Sequence, residues 1–419
     1  MNRLWAMVVG LAAAGPAGAV SPDPKDLAVP PQELSKAREL VRKLGSPVFA
    51  DRERAQDDLA KMGRLAKPAL VEALAAEPKP EVRARSARLI PRAEAADLQA
   101  RIDTFLADAD LKFDHDLPAW AAFRKQVGAD KAGRDLYVAM LKSQPNLDLL
   151  VALGTSDAEG GRAVADRRVS LYLQMNPHGF GNRFGVVAPT AQPRPPTIVD
   201  VATLLLGEAT VAAKDIPRFA QFGFITGQFL QQPAAMAAIN NPGGTPHAEP
   251  YKLILGRWLD TRTAADELTQ IVHVTQNFRQ MKETTPLLRR VVTTNGVMGY
   301  AKGQALMFLV QRNAKEEQPF LRGLLKDDTV VTAVFLGNNP MGGAIQASCQ
   351  LRDVALAMLL TQNGQDMRAY GFEFPQGAQP NPQNIGYGSY AFTADEKRDA
   401  ALKKWEAWEA AQPKKDEKK

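Results

Sequence analysis

Histidines with acidic neighbours are the first places in this sequence to look for chemistry, because imidazole and carboxylate groups bind metals and move protons. The four histidines lie far apart in the chain: His115, His178, His247 and His273. His115 stands between Asp114 and Asp116 in the stretch DHD. Adjacent side chains point in different directions on a helix or a strand, so these three could not close around one ion. We predict a solvated turn here rather than a metal site.

A glycine- and proline-rich stretch, residues 176 to 196, contains His178 together with Asn182 and Arg183. Glycine allows the backbone to approach a ligand closely, and Arg183 could supply a charge. Loops of this length are uncommon in compact domains and are often functional or disordered. The three polar residues therefore form a possible loop site, with a plain glycine-rich turn as the alternative.

The standard catalytic and cofactor signatures do not occur in the sequence. It has no G-x-x-x-x-G-K-[ST] phosphate loop, no H-E-x-x-H metal motif and no C-x-x-C-H haem motif. Ser389 in GYGSYAF lacks the second glycine of a nucleophile elbow. Cys349 is the only cysteine, which excludes an intramolecular disulfide and a multi-cysteine metal site. We therefore predict no catalytic residue, no cofactor and no metal.

Three arginines, Arg85, Arg88 and Arg92, are spaced at i, i+3 and i+7 in a helical pattern. This spacing places them on one side of a helix, opposite the apolar face. We expect an exposed basic stripe, which is either a solvated face or a surface for an anionic polymer or an acidic patch of a protein.

The elements that must position these residues are mainly helices. In DRERAQDDLAKMGRLAKPAL, Ala55 and Leu59 begin one apolar face, and Ala66, Leu70, Ala73 and Leu74 form another. Gly63 lies where the first helix should end, and Pro68 lies early in the second helix, where proline is tolerated. The stretch predicts an antiparallel pair of helices that buries its remaining apolar surface against neighbours.

This pair recurs. A basic residue followed by a small residue at +3 and an aliphatic residue at +7 begins at four positions: Arg52, Arg83, Lys302 and Arg352. AQDDLAKMGRLAKPALVEAL also aligns with ALMFLVQRNAKEEQPFLRGLL with one residue inserted, so that Pro68 matches Pro319. We expect each repeated basic residue to pair with a carboxylate or a carbonyl group of its own unit or the next.

These features resemble the HEAT and armadillo class of helical repeats, in which a basic residue lies near the start of the inner helix and small residues lie where helices cross. KPEVRARSARLI (79 to 90) and QLRDVALAMLL (350 to 360) are most similar to that inner helix. The resemblance covers roughly residues 35 to 95 and 285 to 362 and implies a fold but no activity. We expect an all-α protein of stacked helical hairpins, an α-solenoid, with irregular central loops.

The first residues predict export. Asn2 and Arg3 precede an apolar run from Leu4 to Gly15, and Ala17-Gly18-Ala19 matches a signal-peptidase site. The run is shorter than the roughly 20 residues that span a bilayer, so we expect cleavage near Ala19, no transmembrane segment in the mature chain, and a periplasmic or extracellular location. The net charge of +6 falls to +5 without Arg3 and is spread along the chain, which argues against nucleic acid as a partner.

The remaining organisation is predicted in segments. After the signal peptide (1–19) we expect an N-terminal linker (20–34), an N-terminal repeat region (35–160), an irregular helical middle (161–250) and a C-terminal repeat region (251–365). A Gly/Pro/aromatic segment with a charged helix and a polar tail follows (366–419). RRVSLYLQM (167 to 175) alternates like a strand but has helical neighbours, and we predict a helix. Phe219, Phe222, Ile225 and Phe229 form an apolar stripe that we assign to the core.

The predicted helical scaffold is the only basis in the sequence for predicting a function. We expect a binding or scaffolding protein that contacts a protein or an anionic polymer in the cell envelope or exterior. The alternative is a secreted hydrolase with a site built by the loops at 176 to 196 and 334 to 349. Neither the partner nor the oligomeric state follows from the sequence.

Overall fold

The computed structural model of this protein describes residues 21–177, 192–217, 225–278, 280–313, 315–338, 344–374 and 390–412. The chain forms two compact units, unit 1 ending at Trp120 and unit 2 beginning at Ala121. The division lies inside the region predicted as residues 35–160. Both units are mainly helical in these ranges, so the prediction of an all-α fold class is confirmed at that level. No helix among the described residues is both long enough and apolar enough to cross a membrane.

The described residues of unit 1 form four α-helices before Trp120: α1 (Pro31–Lys43), α2 (Phe49–Met62), α3 (Lys67–Ala76) and α4 (Pro80–Ala107). Helices α1, α3 and α4 each carry proline in their first two positions, where the missing N–H costs no helical hydrogen bond. Gly63 ends α2 with a φ of +55°, a conformation that favours glycine. The two helices predicted from the sequence are therefore confirmed as α2 and α3, and each of them packs against α1 and α4.

The apolar faces of α2 and α3 form much of the core of unit 1. Ala55, Leu59 and Leu70 are buried as predicted and pack with residues of α1 and α4. Leu74 is the exception, because 45% of it is exposed. Leu74 lies near the end of α3, on a side of the helix that none of its neighbours covers completely.

The repeated basic residues of unit 1 make equivalent contacts. Arg52 Nη1 donates to the carbonyl oxygen of Ser46 at 2.8 Å, and Arg83 Nη1 donates to that of Glu77 at 3.2 Å. Each acceptor lies six residues before its arginine, in the connection from the preceding helix. The predicted pairing with carbonyl groups is confirmed for both positions.

The prediction that Arg85 belongs to an exposed stripe is wrong. Its side chain is 11% exposed and donates to Glu81 at 2.6 Å and to Glu53 at 2.7 Å. These carboxylates hold the guanidinium against α2 because Glu53 lies on that helix. Arg88 and Arg92 are exposed, so only two of the three arginines face solvent.

The segment that follows α4 is organised around a buried carboxylate, Asp108. It accepts hydrogen bonds from the backbone amides of Lys112 and Phe113 at 3.0 Å each and contacts His115 Nε2 at 3.0 Å. His115 is buried and meets the Phe105 ring edge to face at 5.2 Å. The prediction that DHD is a solvated turn therefore fails for its histidine, because Asp108, seven residues earlier, supplies a buried partner.

Asp108 gives unit 1 a testable pH dependence. Burial raises its pKa, but hydrogen bonds from His115, the two amides and Ser21 outweigh burial and lower the pKa to about 2 from the usual 3.8. The folded state therefore holds its proton less tightly than the unfolded state. The resulting stability, about 2 kcal/mol, is present above pH 4 and is lost as the pH falls through about 2.

The measurement is denaturant unfolding of the full chain between pH 6 and pH 2, comparing wild type with Asp108→Asn. The difference in unfolding free energy between the two should shrink as the pH falls below 4. The exposed neighbour provides a matched control, Asp114→Asn, whose difference from wild type should stay nearly constant. A constant difference for Asp108→Asn would contradict the assignment.

Unit 2 contains a larger set of helices before a small sheet. They are α5 (Trp120–Val127), which begins at the last residue of unit 1, α6 (Lys131–Leu141), α7 (Gln144–Thr155), α8 (Asp157–Met175), α9 (Ile198–Thr210), α10 (Thr226–Leu230), α11 (Pro233–Asn240), α12 (Ala248–Thr261), α13 (Ala265–Ile271), α14 (Thr284–Thr293), α15 (Gly299–Asn313) and α16 (Gln318–Gly323). The stretch at 167–175 is the end of α8, so the helix prediction is confirmed there. Ile225 and Phe229 are buried, as predicted for the apolar stripe, and Phe219 and Phe222 lie outside the described residues.

Two antiparallel strands, β1 (Val330–Asn338) and β2 (Ala344–Gln350), interrupt the helices. Val334 pairs with Ala347, and both are buried, whereas Phe335 on the opposite face is 55% exposed. The predicted loop at 334–349 is therefore a β-hairpin in its described residues. Gly299 at the start of α15 allows this packing, because a Cβ there would overlap the carbonyl oxygen of Val330.

The chain then forms α17 (Leu351–Gln362) and ends its described part with α18 (Asp395–Ala410). These confirm the helix predicted around Arg352 and the charged helix predicted in the C-terminal segment. The other two repeated basic residues behave differently from each other: Arg352 Nε donates to the Gln350 side chain at 2.6 Å, and Lys302 is buried in α15.

Candidate ligand-binding cleft

Unit 2 contains an open cleft with a volume of about 880 Å³. It lies among α10, α13, the 3-10 turns at Val272–Phe278, and the loop that leads into α15. The described residues that line it are Gly227, Gln228, Gln231, Ala265, Asp266, Thr269, Gln270, His273, Val274, Gly296, Met298 and Tyr300. We call this feature the cleft.

The polar lining of the cleft is mostly neutral. The exposed glutamines Gln228, Gln231 and Gln270 contribute side-chain amides, each of which can both donate and accept hydrogen bonds. Asp266 is the only carboxylate among the described lining residues, and none of them is Lys or Arg. The described lining therefore offers directional hydrogen bonding.

Two rings form the aromatic part of the lining. His273 and Tyr300 stack with their ring centroids 6.1 Å apart and their planes 20° apart. His273 is exposed and Tyr300 is half-buried, so part of the stack is open to a ligand. The pair provides a flat surface beside the amides.

Thr269 fixes one wall of the cleft. Its hydroxyl donates to the carbonyl oxygen of Ala265 at 2.7 Å and accepts from the backbone amide of Met298 at 3.2 Å. The first bond lies within α13, and the second joins α13 to the loop before α15. Met298 itself is 57% exposed, which places a flexible apolar side chain at the cleft surface.

A buried carboxylate, Glu208 on α9, holds other elements of the cleft together. Its Oε1 accepts from Arg168 Nε at 2.6 Å and from Thr226 Oγ1 at 2.7 Å, and its Oε2 accepts from Trp258 Nε1 at 2.6 Å. Thr226 is the first residue of α10 and immediately precedes Gly227 of the lining. The position of α10 thus depends on a buried charge-assisted hydrogen bond.

Arg262 extends this network to the second wall. Its Nη2 donates to the Glu208 carbonyl oxygen at 2.7 Å, and its Nη1 lies 3.3 Å from Glu267 Oε2. The guanidinium also lies 5.2 Å from the centre of the Trp258 ring. Because Glu267 is the neighbour of Asp266 on α13, one connected set of buried side chains supports both α10 and α13. We call Glu208, Arg168, Arg262, Glu267, Trp258 and Thr226 the Glu208 network.

The two acids of the network have opposite pKa shifts. Burial raises the pKa of Glu208, but Arg168, Arg262 and the hydrogen bonds from Arg168 and Thr226 outweigh burial, and the net pKa is lowered. For Glu267, burial and the nearby Glu208 charge raise the pKa more than Arg262 lowers it. Glu208 is therefore the group that keeps its negative charge between the two arginines.

The site residues proposed from the sequence are not brought together in the cleft. His178, Asn182 and Arg183 lie outside the described residues. Arg85, Arg88 and Arg92 belong to unit 1. Among the described residues, no group of three or more His, Cys, Asp or Glu side chains is arranged to hold a metal.

The sequence analysis did not predict the cleft, although three of the lining residues form a weak pattern in the sequence. Asp266, Gln270 and His273 follow one another at i, i+4 and i+7, and the intervening Leu268 and Ile271 are buried. A polar stripe of this kind is what a solvated helix face also shows, so the pattern did not separate a site from ordinary surface. Comparison with protein-family models, curated proteins and solved structures finds no match for this chain.

Proposed function

We propose that this chain is an exported helical-repeat protein that binds an envelope or extracellular partner, and that the partner occupies the cleft. The observation that carries the proposal is the cleft itself: amides and an aromatic stack on a frame fixed by the buried Glu208 network. A site held in place by its own packing binds without the cost of ordering loops. Passive binding or scaffolding requires only such a preformed site.

The repeat part of the proposal is supported by two pairs of equivalent positions. Arg52 and Arg83 donate to carbonyl groups six residues before them, as units of one repeat would. Pro68 and Pro319, which align between the ends of the sequence, both lie at the start of helices that follow another helix. These correspondences favour an array related to the HEAT and armadillo class, stacked in the manner of an α-solenoid.

Export is supported by the sequence before the described residues. The basic start at Arg3, the apolar run and the small residues at Ala17 and Ala19 form the three parts of a secretory signal. The proposal therefore places the mature chain, beginning at Val20, in the periplasm or outside the cell.

The test is affinity capture from a detergent-treated envelope extract. The chain beginning at Val20 is compared with a triple variant, Gln228→Ala/Gln231→Ala/Gln270→Ala, which removes the three amides of the cleft. We expect wild type to retain defined macromolecular material and the triple variant to lose most of it. Gln144→Ala is the matched control, because Gln144 is exposed at the start of α7 and does not line the cleft.

A second variant distinguishes binding at the cleft from binding at the exposed arginines of unit 1. An Arg88→Glu/Arg92→Glu variant changes the exposed arginines of unit 1 and should capture the same material as wild type. Loss of capture in this variant, with full retention in the glutamine variant, would reject the cleft as the binding site. Chemical breakdown of the captured polymer by wild type would favour the hydrolase alternative instead.

A further inference from the structure

We infer that two copies of this chain pair with each other through the outer edge of β1. The inference goes beyond the proposed function, because it concerns a surface of unit 2 whose described residues are not among those that line the cleft. Three features carry it: the open edge of the strand, the exposed apolar side chains of the hairpin, and the absence of charge along β1.

The sheet leaves one edge of β1 open. In the described part of the chain, β1 has β2 as its neighbour on one side and no strand on the other. Alternate residues of an antiparallel strand point their N–H and C=O groups away from the partner strand. Within the described ranges, no backbone hydrogen bond joins residues 331–338 to a residue outside the hairpin. The outer edge of β1 therefore offers backbone groups with which another strand can pair.

The outer edge of β2 is occupied instead. Ser348 forms an isolated antiparallel bridge with Phe392, and Arg398 Nη2 donates to the Ser348 carbonyl oxygen at 3.1 Å. These contacts stop the sheet from growing on the β2 side. An added strand must therefore pair with β1.

Exposed apolar side chains accompany the open edge. Val330 is 57% exposed, Phe335 is 55% exposed and Ile345 is 38% exposed. Natural sheets usually protect a long edge strand with lysine or proline, but β1 is nine residues long and contains neither. A strand with these properties is a template for pairing with another chain.

The charge pattern of β1 fits a second copy of the same strand. In a two-fold symmetric pair, residues near the axis lie close to their own copies, so a charge there would meet the same charge. The sequence has no Asp, Glu, Lys, Arg or His from Thr329 to Leu351. Self-pairing of β1 therefore meets no charge repulsion along the strand.

The regular part of β1 sets the geometry of the pair. Its register with β2 is uninterrupted from Thr332 to Phe335, with an irregularity on either side. Antiparallel pairing centred on Val334 would put Phe335 opposite Ala333 of the second copy, with both Phe335 rings on the same face of a four-stranded sheet. Diagonal neighbours of this kind lie about 7–8 Å apart, within reach of aromatic side chains.

A lipid bilayer fits the hairpin less well. The exposed apolar side chains could enter hydrocarbon, but the N–H and C=O groups of the open edge would find no hydrogen-bond partner there. A second strand satisfies these backbone groups and covers the side chains at the same time.

The experiment is sedimentation velocity of the chain beginning at Val20, at concentrations from about 1 to about 200 µM. We expect an equilibrium that reaches twice the monomer mass at the highest concentration. Phe335→Lys brings like charges together near the two-fold axis and should raise the dissociation constant of the dimer at least about tenfold. Val151→Lys is the matched control, because Val151 is 50% exposed on α7, and this variant should dimerise as wild type does.

A mixture of opposite charges separates loss of pairing from loss of folding. Phe335→Lys and Phe335→Glu should each dimerise weakly alone, whereas their equimolar mixture should form a mixed dimer at least about threefold tighter than either variant forms by itself. Amide hydrogen exchange of wild type at residues 332–336 should be slower at high concentration than at low concentration.

Flotation with phosphatidylcholine vesicles tests the bilayer alternative, and we expect no binding to them. A wild-type chain that stays monomeric over the whole concentration range would overturn the inference, whether or not it binds the vesicles. A dimer that Phe335→Lys leaves unchanged, or a mixture no tighter than its components, would place the contact elsewhere and would also reject pairing through β1.

Discussion

Replacing Glu208 with glutamine is expected to lower the unfolding free energy of unit 2 by about 3–5 kcal/mol, although the two side chains have nearly the same shape. Glu208 accepts hydrogen bonds from Arg168, Thr226 and Trp258, and all three partners are donors. A glutamine offers one oxygen and turns an N–H₂ group toward some of these donors. It also removes the carboxylate that lies 2.6 Å from Arg168 and 3.9 Å from Arg262.

The measurement is denaturant unfolding at neutral pH, followed by tryptophan fluorescence and circular dichroism. Glu249→Gln is the matched control, because Glu249 lies on α12 and pairs with Lys252 at an exposed position. The control should change stability by no more than about 0.5 kcal/mol. A loss below about 1 kcal/mol for Glu208→Gln would show that the network is not the support of the cleft.

Replacing Arg398 with methionine should detach α18 and cost about 3–5 kcal/mol. Arg398 is almost fully buried. Its Nε donates to Asp353 at 2.8 Å, its Nη2 donates to the Ser348 carbonyl oxygen at 3.1 Å, and its Nη1 pairs with Asp395. Burial raises the pKa of Asp353 more than Arg398 lowers it, so removing the arginine leaves a carboxyl group that must take up a proton or remain buried with its charge.

Two further variants make this second expectation specific. Arg322→Met breaks the exposed pair with Glu409, which also joins α18 to the rest of unit 2, and should cost at most about 1 kcal/mol. The double variant Asp353→Leu/Arg398→Met should recover part of the loss, since it removes both buried charges together. Trp405, which is buried on α18, reports detachment of the helix through its fluorescence. Equal losses for Arg398→Met and Arg322→Met would contradict the assignment.

The sequence predicted those elements whose signals are local. Ala55 and Leu59 repeat with the helical period in the first segment, and Leu70 and Ala73 do so in the second. Gly63 and Pro68 mark where one helix ends and the next begins, so the sequence is sufficient to place α2 and α3. The helix at 167–175 was ambiguous in its own residues and was decided by its neighbours. Local periodicity therefore carried most of the helix predictions.

The hairpin shows where a local signal was present but given the wrong interpretation. Val330, Val331 and Thr332 are β-branched, which favours a strand. The sequence analysis nevertheless treated residues 334 to 349 as a loop. The pairing of β1 with β2 depends on packing of Val334 and Ala347 that no single segment reveals.

The candidate site could not be predicted because it is made by tertiary contacts. Its lining extends from Gly227 to Tyr300 and comes from several separate segments. The buried charge beneath the cleft has only a weak signal in the sequence: the carboxylate of Glu208 follows an apolar run in IVDVATLLLGEAT. The prediction for His115 was wrong because its partner, Asp108, lies outside the DHD stretch on which the prediction was based.

The Glu208 network also has a consequence for kinetics. Helices joined by a buried charge cannot separate one at a time without leaving that charge buried and without its hydrogen-bond partners. The walls of the cleft should therefore open only in a large cooperative unfolding event. Ligand association should then be a single step with an observed rate that rises linearly with ligand concentration and reaches no plateau. Differences in affinity among ligands and variants would accordingly arise from differences in the dissociation rate of each complex.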